Sequence, residues 1–150
     1  MTVLKVDDSL WRGPRPTNLK ELVGLGIKRI ISLESGTYDV FHPGELLERQ
    51  FPCEFGMDQY DLKSSDFFPP ERWAVKKFLD LTTLNPKPTF VHCLSGVDRT
   101  GFMCAVYRMV VQEWAFETAL SEWKALGRHP WYFFWGRELK TWEPGRGDSK

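Results

Sequence analysis

VHCLSGVDRTG, running from Val91 to Gly101, concentrates more chemistry than any other stretch of the chain. The residues before it, PTFVH (88–92), read as a short apolar central strand. Those after it, GFMCAVYRMVVQEW, continue a helix that starts at about Arg99. Cys93 therefore stands where a strand ends and a helix is about to begin. A loop so placed turns its backbone N–H groups into an anion-binding nest at the positive end of the helix. Arg99 adds a planar, permanently charged fork suited to phosphate oxygens. Gly96 relieves the strain of a tight loop. Cationic, N–H-rich surroundings of this kind favour thiolate over thiol, and the thiolate is the nucleophile. A merely buried strand-end cysteine needs no Arg-Thr-Gly behind it.

Outward from that loop, strands and helices alternate. VLKV (3–6) reads as a short strand, and LWRGPRPT (10–17) as a strand edge entering a turn, where Arg12 is expected in a structural turn role, with contact to the 91–101 loop as the alternative. Thr17 is placed to cap a helix over about 18–23, ended by Gly24 and Gly26. IKRIISL (27–33) is a buried-type strand, GELLERQF a short helix after Pro43, and CEFGMDQY (53–60) a further strand. DLKSSDFF (61–68) is a polar loop, and Pro69-Pro70 open a helix whose apolar side carries Trp73, Phe78, Leu79 and Leu81. AFETALSEWKAL and HPWYFFWGRELKTW read as two closing helices. The pattern implies an α/β layer fold, a small and mostly parallel central sheet flanked by helices.

The whole chain bounds the function. Its 150 residues suit one domain, here residues 1–150. Hydrophobic residues make up 42% and charged residues 27%, a soluble globular balance. Twenty basic residues balance twenty acidic ones, which disfavours nucleic acid or an anionic membrane as the main partner. No apolar run reaches the roughly 18–20 residues of a membrane helix, and the charged MTVLKVDDSLW is not a signal peptide. Cys53, Cys93 and Cys104 match no zinc-ligand spacing and form no disulfide framework, so no metal and a reducing, cytoplasmic setting are expected. No GxxxxGK[ST] motif is present, which excludes a P-loop NTPase.

His-Cys, five residues and Arg-Thr-Gly resemble the signature loop of cysteine-dependent protein tyrosine and dual-specificity phosphatases, matched at His92, Cys93, Gly96, Arg99, Thr100 and Gly101. LWRGPRPTNLKELVGLGIKRIISL and VDRTGFMCAVYRMVVQEWAFETALSEW are similar to the flanking parts of small bacterial enzymes of that type, so the resemblance spans about residues 10–126. It implies the cysteine-phosphatase (dual-specificity) fold. It also implies that Cys93 attacks phosphorus and forms a phosphocysteine, which water then hydrolyses. Leu94, Ser95, Gly96, Val97, Asp98 and Arg99 would bind the phosphate. Thr100 would donate its hydroxyl to the departing thiolate, and His92 would orient the loop. The family takes its general acid from an upstream aspartate. Asp66 is preferred, because DFFPP resembles the Asp-x-x-Pro-Pro of dual-specificity phosphatases, with Asp61 second. Asp58 falls on a presumed strand. Asp98 is the alternative, since myotubularin-like phosphoinositide phosphatases carry an acid there.

The resemblance implies a phosphorylated protein or small phosphomonoester as substrate and no cofactor; the sequence does not give the oligomeric state, and a monomer is the default expectation. An inositide phosphatase is the competing enzyme reading, disfavoured because Leu94, Ser95, Val97 and Asp98 bring no lysine to the loop. A non-catalytic phospho-binding protein is the reading of another class, disfavoured by the intact Cys93, Arg99 and Thr100. A rhodanese-type sulfurtransferase is disfavoured by His92 and the Arg-Thr-Gly. Cys53 and Cys104 are expected in the core, with protection of Cys93 as a disulfide under oxidant the alternative for one of them; His42 and His129 are expected on the surface, and WYFFW (131–135) packed against the body, with a partner-binding patch as its alternative. Phe67 and Phe68 either anchor the loop or meet a substrate ring.

Overall fold

The computed structural model describes residues 2–34, 51–65 and 67–144. Thr89–His92 forms the central strand β5, and all four of its residues are buried. On one side it pairs in parallel with β2 (Leu10–Gly13), and on the other with β3 (Arg29–Ser32). β4 (Asp58–Asp61) continues the parallel sheet beyond β3, and β1 (Leu4–Lys5) closes the other edge antiparallel to β2. The strand order is β1-β2-β5-β3-β4. The chain thus has the mostly parallel, helix-flanked sheet expected from its sequence.

Continuous burial of β3 and β5 follows from helices on both faces of the sheet. Side chains alternate across it. Ile30 and Phe90 join Leu19, Leu22, Ile27 and Met57 under α1 (Lys20–Gly24). Ile31 and Val91 join the larger core under α2 (Arg72–Thr83), α3 (Asp98–Val110), α4 (Phe116–Ala125) and α5 (Trp135–Lys140). α3 lies innermost, with ten of its thirteen residues buried, as expected of a helix apolar on most sides. No helix among the described residues is long and apolar enough to cross a membrane.

Several local expectations change. The strand expected at 53–60 begins only at Asp58. Before it, Pro52–Phe55 forms a 3₁₀ turn closed by Gly56 at φ 74°, which extended backbone does not allow. Cys53 is consequently exposed, whereas Cys104 is in the core as expected. At the start of α1 the side chain that accepts a backbone N–H is Asn18, not Thr17: its Oδ1 lies 3.0 Å from Lys20 N. The single closing helix divides into a 3₁₀ turn, Pro130–Tyr132, and α5. The helix expected over 44–51 lies, except for Phe51, outside the described residues, as do His42 and Asp66.

The register sets the site. Gly13, His92, Ser32 and Asp61 form one row at the carboxyl ends of the four parallel strands, where open α/β sheets bind ligands. The opposite end is tied by Arg29, fully buried in β3. Its guanidinium donates to Leu81 O and Asn85 O, each at 2.6 Å, and so joins the end of α2 to the sheet. Burial holds this arginine's pKa below its usual value. Hydrogen bonds to charged groups contribute about 1.5–3 kcal/mol each. Arg29→Ala is therefore expected to lower stability by on the order of 3 kcal/mol in urea denaturation. An unchanged midpoint would show that the two carbonyls find other donors.

Candidate active site

Cys93 follows the last residue of β5 and is almost fully buried. The loop 94–97 then turns into α3. Gly96 takes φ 77°, and a Cβ there would lie 2.3 Å from the carbonyl carbon of Gly13. The loop therefore rests directly on the Gly13-Pro14 backbone, which only glycine permits.

Donors outside the loop hold its carbonyls. Arg15 N donates to Leu94 O at 3.1 Å, Arg12 Nη2 to Gly96 O at 3.1 Å, and Trp123 Nε1 to Val97 O at 3.2 Å. The backbone N–H groups of Leu94, Ser95, Gly96, Val97 and Asp98, by contrast, donate to no partner among the described residues. Carbonyls engaged and amides unengaged are the complement an anion requires. Arg12 is thus more than a turn residue: it is buried and clamps the loop.

Arg99 lies in the first turn of α3. Its Nη1 donates to Leu33 O at 3.3 Å and Ser64 O at 3.2 Å, carbonyls just past β3 and β4. Thr100 is fully buried, and its hydroxyl makes no hydrogen bond among the described residues. A buried hydroxyl without a partner calls for an explanation, and its place one residue after Arg99 supplies a functional one. Gly101 is required by packing, since a Cβ would fall 2.2 Å from Trp123 Cδ1.

His92 is wholly buried beneath the loop, stacked on Phe90 with ring centroids 5.7 Å apart. Its Nδ1 lies 3.2 Å from Cys93 O, so that nitrogen carries the hydrogen. Burial lowers its pKa to about 4, outweighing the Cys93 carbonyl and the Glu34 carboxylate, which act the other way. Neutral at physiological pH, His92 is suited to fixing the loop. Glu34 Oε2 stands 3.9 Å from the ring, and this carboxylate is gripped by both ends of the Arg15 guanidinium, with Arg15 Nε 2.9 Å from Oε2.

The candidate acids are separated by position. Asp61 ends β4 in the carboxyl-end row and is exposed. Asp58 sits at the opposite end, paired with Lys87 at 2.6 Å. Asp98 is buried: its Oδ1 accepts from His129 N at 2.9 Å and its Oδ2 meets His129 Nδ1 at 2.6 Å. His129, expected only as a surface residue, is therefore a partner of the signature loop. Sequence reading missed Glu34, Trp123 and His129 as supports of the site. The one local signal was the Arg-Gly-Pro-Arg run holding Arg12 and Arg15.

Two outcomes are expected. The folded His92 pKa lies below the unfolded value of 6.5, so the unfolded chain takes up the proton first. Its contribution is present above pH 6.5 and is lost as pH falls towards 4, by about 3 kcal/mol in all. Denaturation series across that window should show the loss in the wild type and a shallower slope in His92→Gln; equal slopes would mean that His92 does not titrate there. Gly101→Ala should lower stability by about 1–3 kcal/mol, the usual cost of overpacking, and an unchanged thermal midpoint would mean that Trp123 moves aside freely.

Comparison with known proteins agrees with this geometry. No curated protein matches the chain. Among solved structures, the core catalytic domain of the PP-IP phosphatase SIW14 from S. cerevisiae, in complex with citrate, is similar at TM-score 0.73 and 19% identity, over 94% of this chain and 85% of that one. PTPMT1 in complex with PI(5)P is similar at TM-score 0.68 and 18% identity, over 91% and 93%. TpbA from P. aeruginosa in complex with pTyr is similar at TM-score 0.63 and 22% identity, over 84% and 75%. These likenesses show the fold. Residues 3–129 match the model of the family described as DSP-PTPase phosphatase fused to NAD+ kinase, and with its HCx5RTG loop the chain belongs to that family of cysteine-based phosphatases.

Proposed function

We propose that the protein hydrolyses phosphate monoesters, on phosphotyrosine and on phosphoserine or phosphothreonine of proteins, through a phosphocysteine on Cys93. The observation that carries this reading is the row of five N–H groups, Leu94 to Asp98, that have no partner among the described residues and stand directly after the buried Cys93. Those amides and Arg99 would hold the three non-bridging oxygens and stabilise the charge that redistributes in the transition state. The Cys93 sulfur attacks phosphorus as the ester P–O bond breaks, and the leaving oxygen takes a proton from Asp66. Water then attacks phosphorus, Asp66 takes its proton, and the S–P bond breaks to release inorganic phosphate. Thr100 donates its otherwise unpartnered hydroxyl to the returning thiolate, and neutral His92 keeps the Cys93 carbonyl in place. This chemistry requires a reduced thiol, which suits a reducing, cytoplasmic setting.

One observation favours a second reading, an inositol-phosphate or phosphoinositide substrate. The charge on Asp98 weighs against a polyphosphorylated ligand, yet both of its oxygens are taken up by His129. SIW14 is a PP-IP phosphatase, and PTPMT1 was solved with PI(5)P. Parallel turnover of a phosphotyrosine peptide and PI(5)P separates the readings, with the peptide expected to be the better substrate.

Hydrolysis of para-nitrophenyl phosphate, with reductant and without added metal, is the primary test. Wild type should turn over, while Cys93→Ser should lose turnover and keep phosphate binding. Near wild-type activity in Cys93→Ser would remove the nucleophile assignment. Asp66→Asn should slow esters with poor leaving groups by ~10²–10⁴-fold, the usual contribution of a general acid. A loss below about threefold would move that role to Asp61 or Asp98.

A further inference from the structure

Four aromatic residues, Phe67, Trp131, Tyr132 and Phe134, line a cleft of about 240 Å³. Phe67 is 76% exposed, Trp131 60% and Phe134 43%, although large aromatics ordinarily bury themselves. Only part of the WYFFW segment packs on the body. Trp135 is completely buried, its ring centroid 6.2 Å from that of Phe102 and 6.3 Å from that of Trp123, while its neighbours stay outside. The expectation that the whole segment packs inward is corrected accordingly.

The cleft is attached to the signature loop by both walls. On one side, Arg99 donates to Ser64 O, Ser65 Oγ accepts from Phe67 N at 2.9 Å, and Phe67 forms the wall. On the other, Asp98 holds His129, and the His129 ring stacks on Trp131 with centroids 4.5 Å apart. Two consecutive residues of the site, Asp98 and Arg99, thus each support one wall. Trp135 joins the walls from below: its Nε1 donates to Phe67 O at 3.3 Å, and its ring lies 4.5 Å from that of Tyr132. The rings of Trp131, Tyr132 and Phe134 rest on neighbouring rings before any ligand arrives, which reduces the ordering cost of binding.

We propose that this cleft is a substrate subsite for a large, flat, apolar group, such as a second aromatic ring, carried beyond the ester oxygen of the phosphate. The inference rests on the phosphatase reading given above. Among the described residues, no carboxylate or ammonium lines the cleft, so its walls offer stacking and apolar burial. An apolar cavity of ~150 Å³ takes one benzene ring, and this cleft is larger. Both of its walls are tied to the signature loop, through Ser64 and Ser65 to Arg99 and through His129 to Asp98, which suits a group covalently joined to a phosphate seated in the loop.

The test compares phenyl phosphate with 4-phenylphenyl phosphate, by kcat/KM in the wild type and by calorimetric binding to Cys93→Ser. The wild type should prefer the two-ring ester by about 10-fold, mainly through KM, as one good aromatic contact allows. Trp131→Ala and Phe134→Ala should each reduce that ratio to about threefold or less. Leu84→Ala, an exposed apolar residue at the end of α2, should leave the ratio unchanged. A wild type with no preference in either turnover or binding overturns the proposal, as does a preference that survives both cleft variants. If neither ester turns over but Cys93→Ser binds the two-ring ester about 10-fold more tightly, the phosphatase reading fails and the subsite stands. Absence of preference together with Trp131-dependent binding to phosphatidylcholine vesicles overturns the proposal and assigns the cleft to a lipid surface.

Discussion

Five consecutive backbone N–H groups, Leu94 to Asp98, donate to no acceptor among the described residues. The surrounding structure is arranged to hold that segment open. Leu94 O, Gly96 O and Val97 O are occupied by Arg15, Arg12 and Trp123, and Cys93 O by His92. Each of these donors comes from a different place in the chain: the turn after β2, the strand β2 itself, helix α4 and the end of β5. These five donors and Arg99 are the groups that the proposed phosphate site would use.

The central part of this arrangement was legible in the sequence. An apolar strand, then Cys, Gly and Arg at fixed offsets, then a long apolar helix, has one reading because every local preference agrees. β4 was misplaced by several residues. An apolar-polar alternation beginning at Cys53 mimics a strand, and only the Pro52 and Gly56 pair signals the turn that occupies it. Arg29 reads as an ordinary polar residue in IKRIISL, yet it is buried. Its acceptors lie 52 and 56 residues away, and no spacing rule reports them.

The supports of the site were hidden for the same reason. Glu34, Trp123 and His129 have no motif of their own. Trp123 sits on an amphipathic helix where any large apolar residue would satisfy the pattern, and its role comes from one indole N–H and one glycine, Gly101, opposite its ring. His129 precedes a proline-opened turn and reads as surface until Asp98 is seen against it. The signature loop was thus readable and its scaffold was not. Apart from the proposed acid Asp66, the chemistry-bearing residues lie within eleven adjacent positions, and the scaffold is made by contacts between distant ones.

That division has a kinetic side. The donors that shape the loop stand 84 positions from it at Arg12 and 26 at Trp123, one before it and one after. Contacts over such separations carry a loop-closure cost that local ones do not. A chain in which α3 has formed but β2 or α4 has not docked already owns its cysteine and its arginine, but lacks the geometry that gives them an anion to act on. The site is therefore a property of the finished fold, and a partly assembled molecule carries the thiol without the activity.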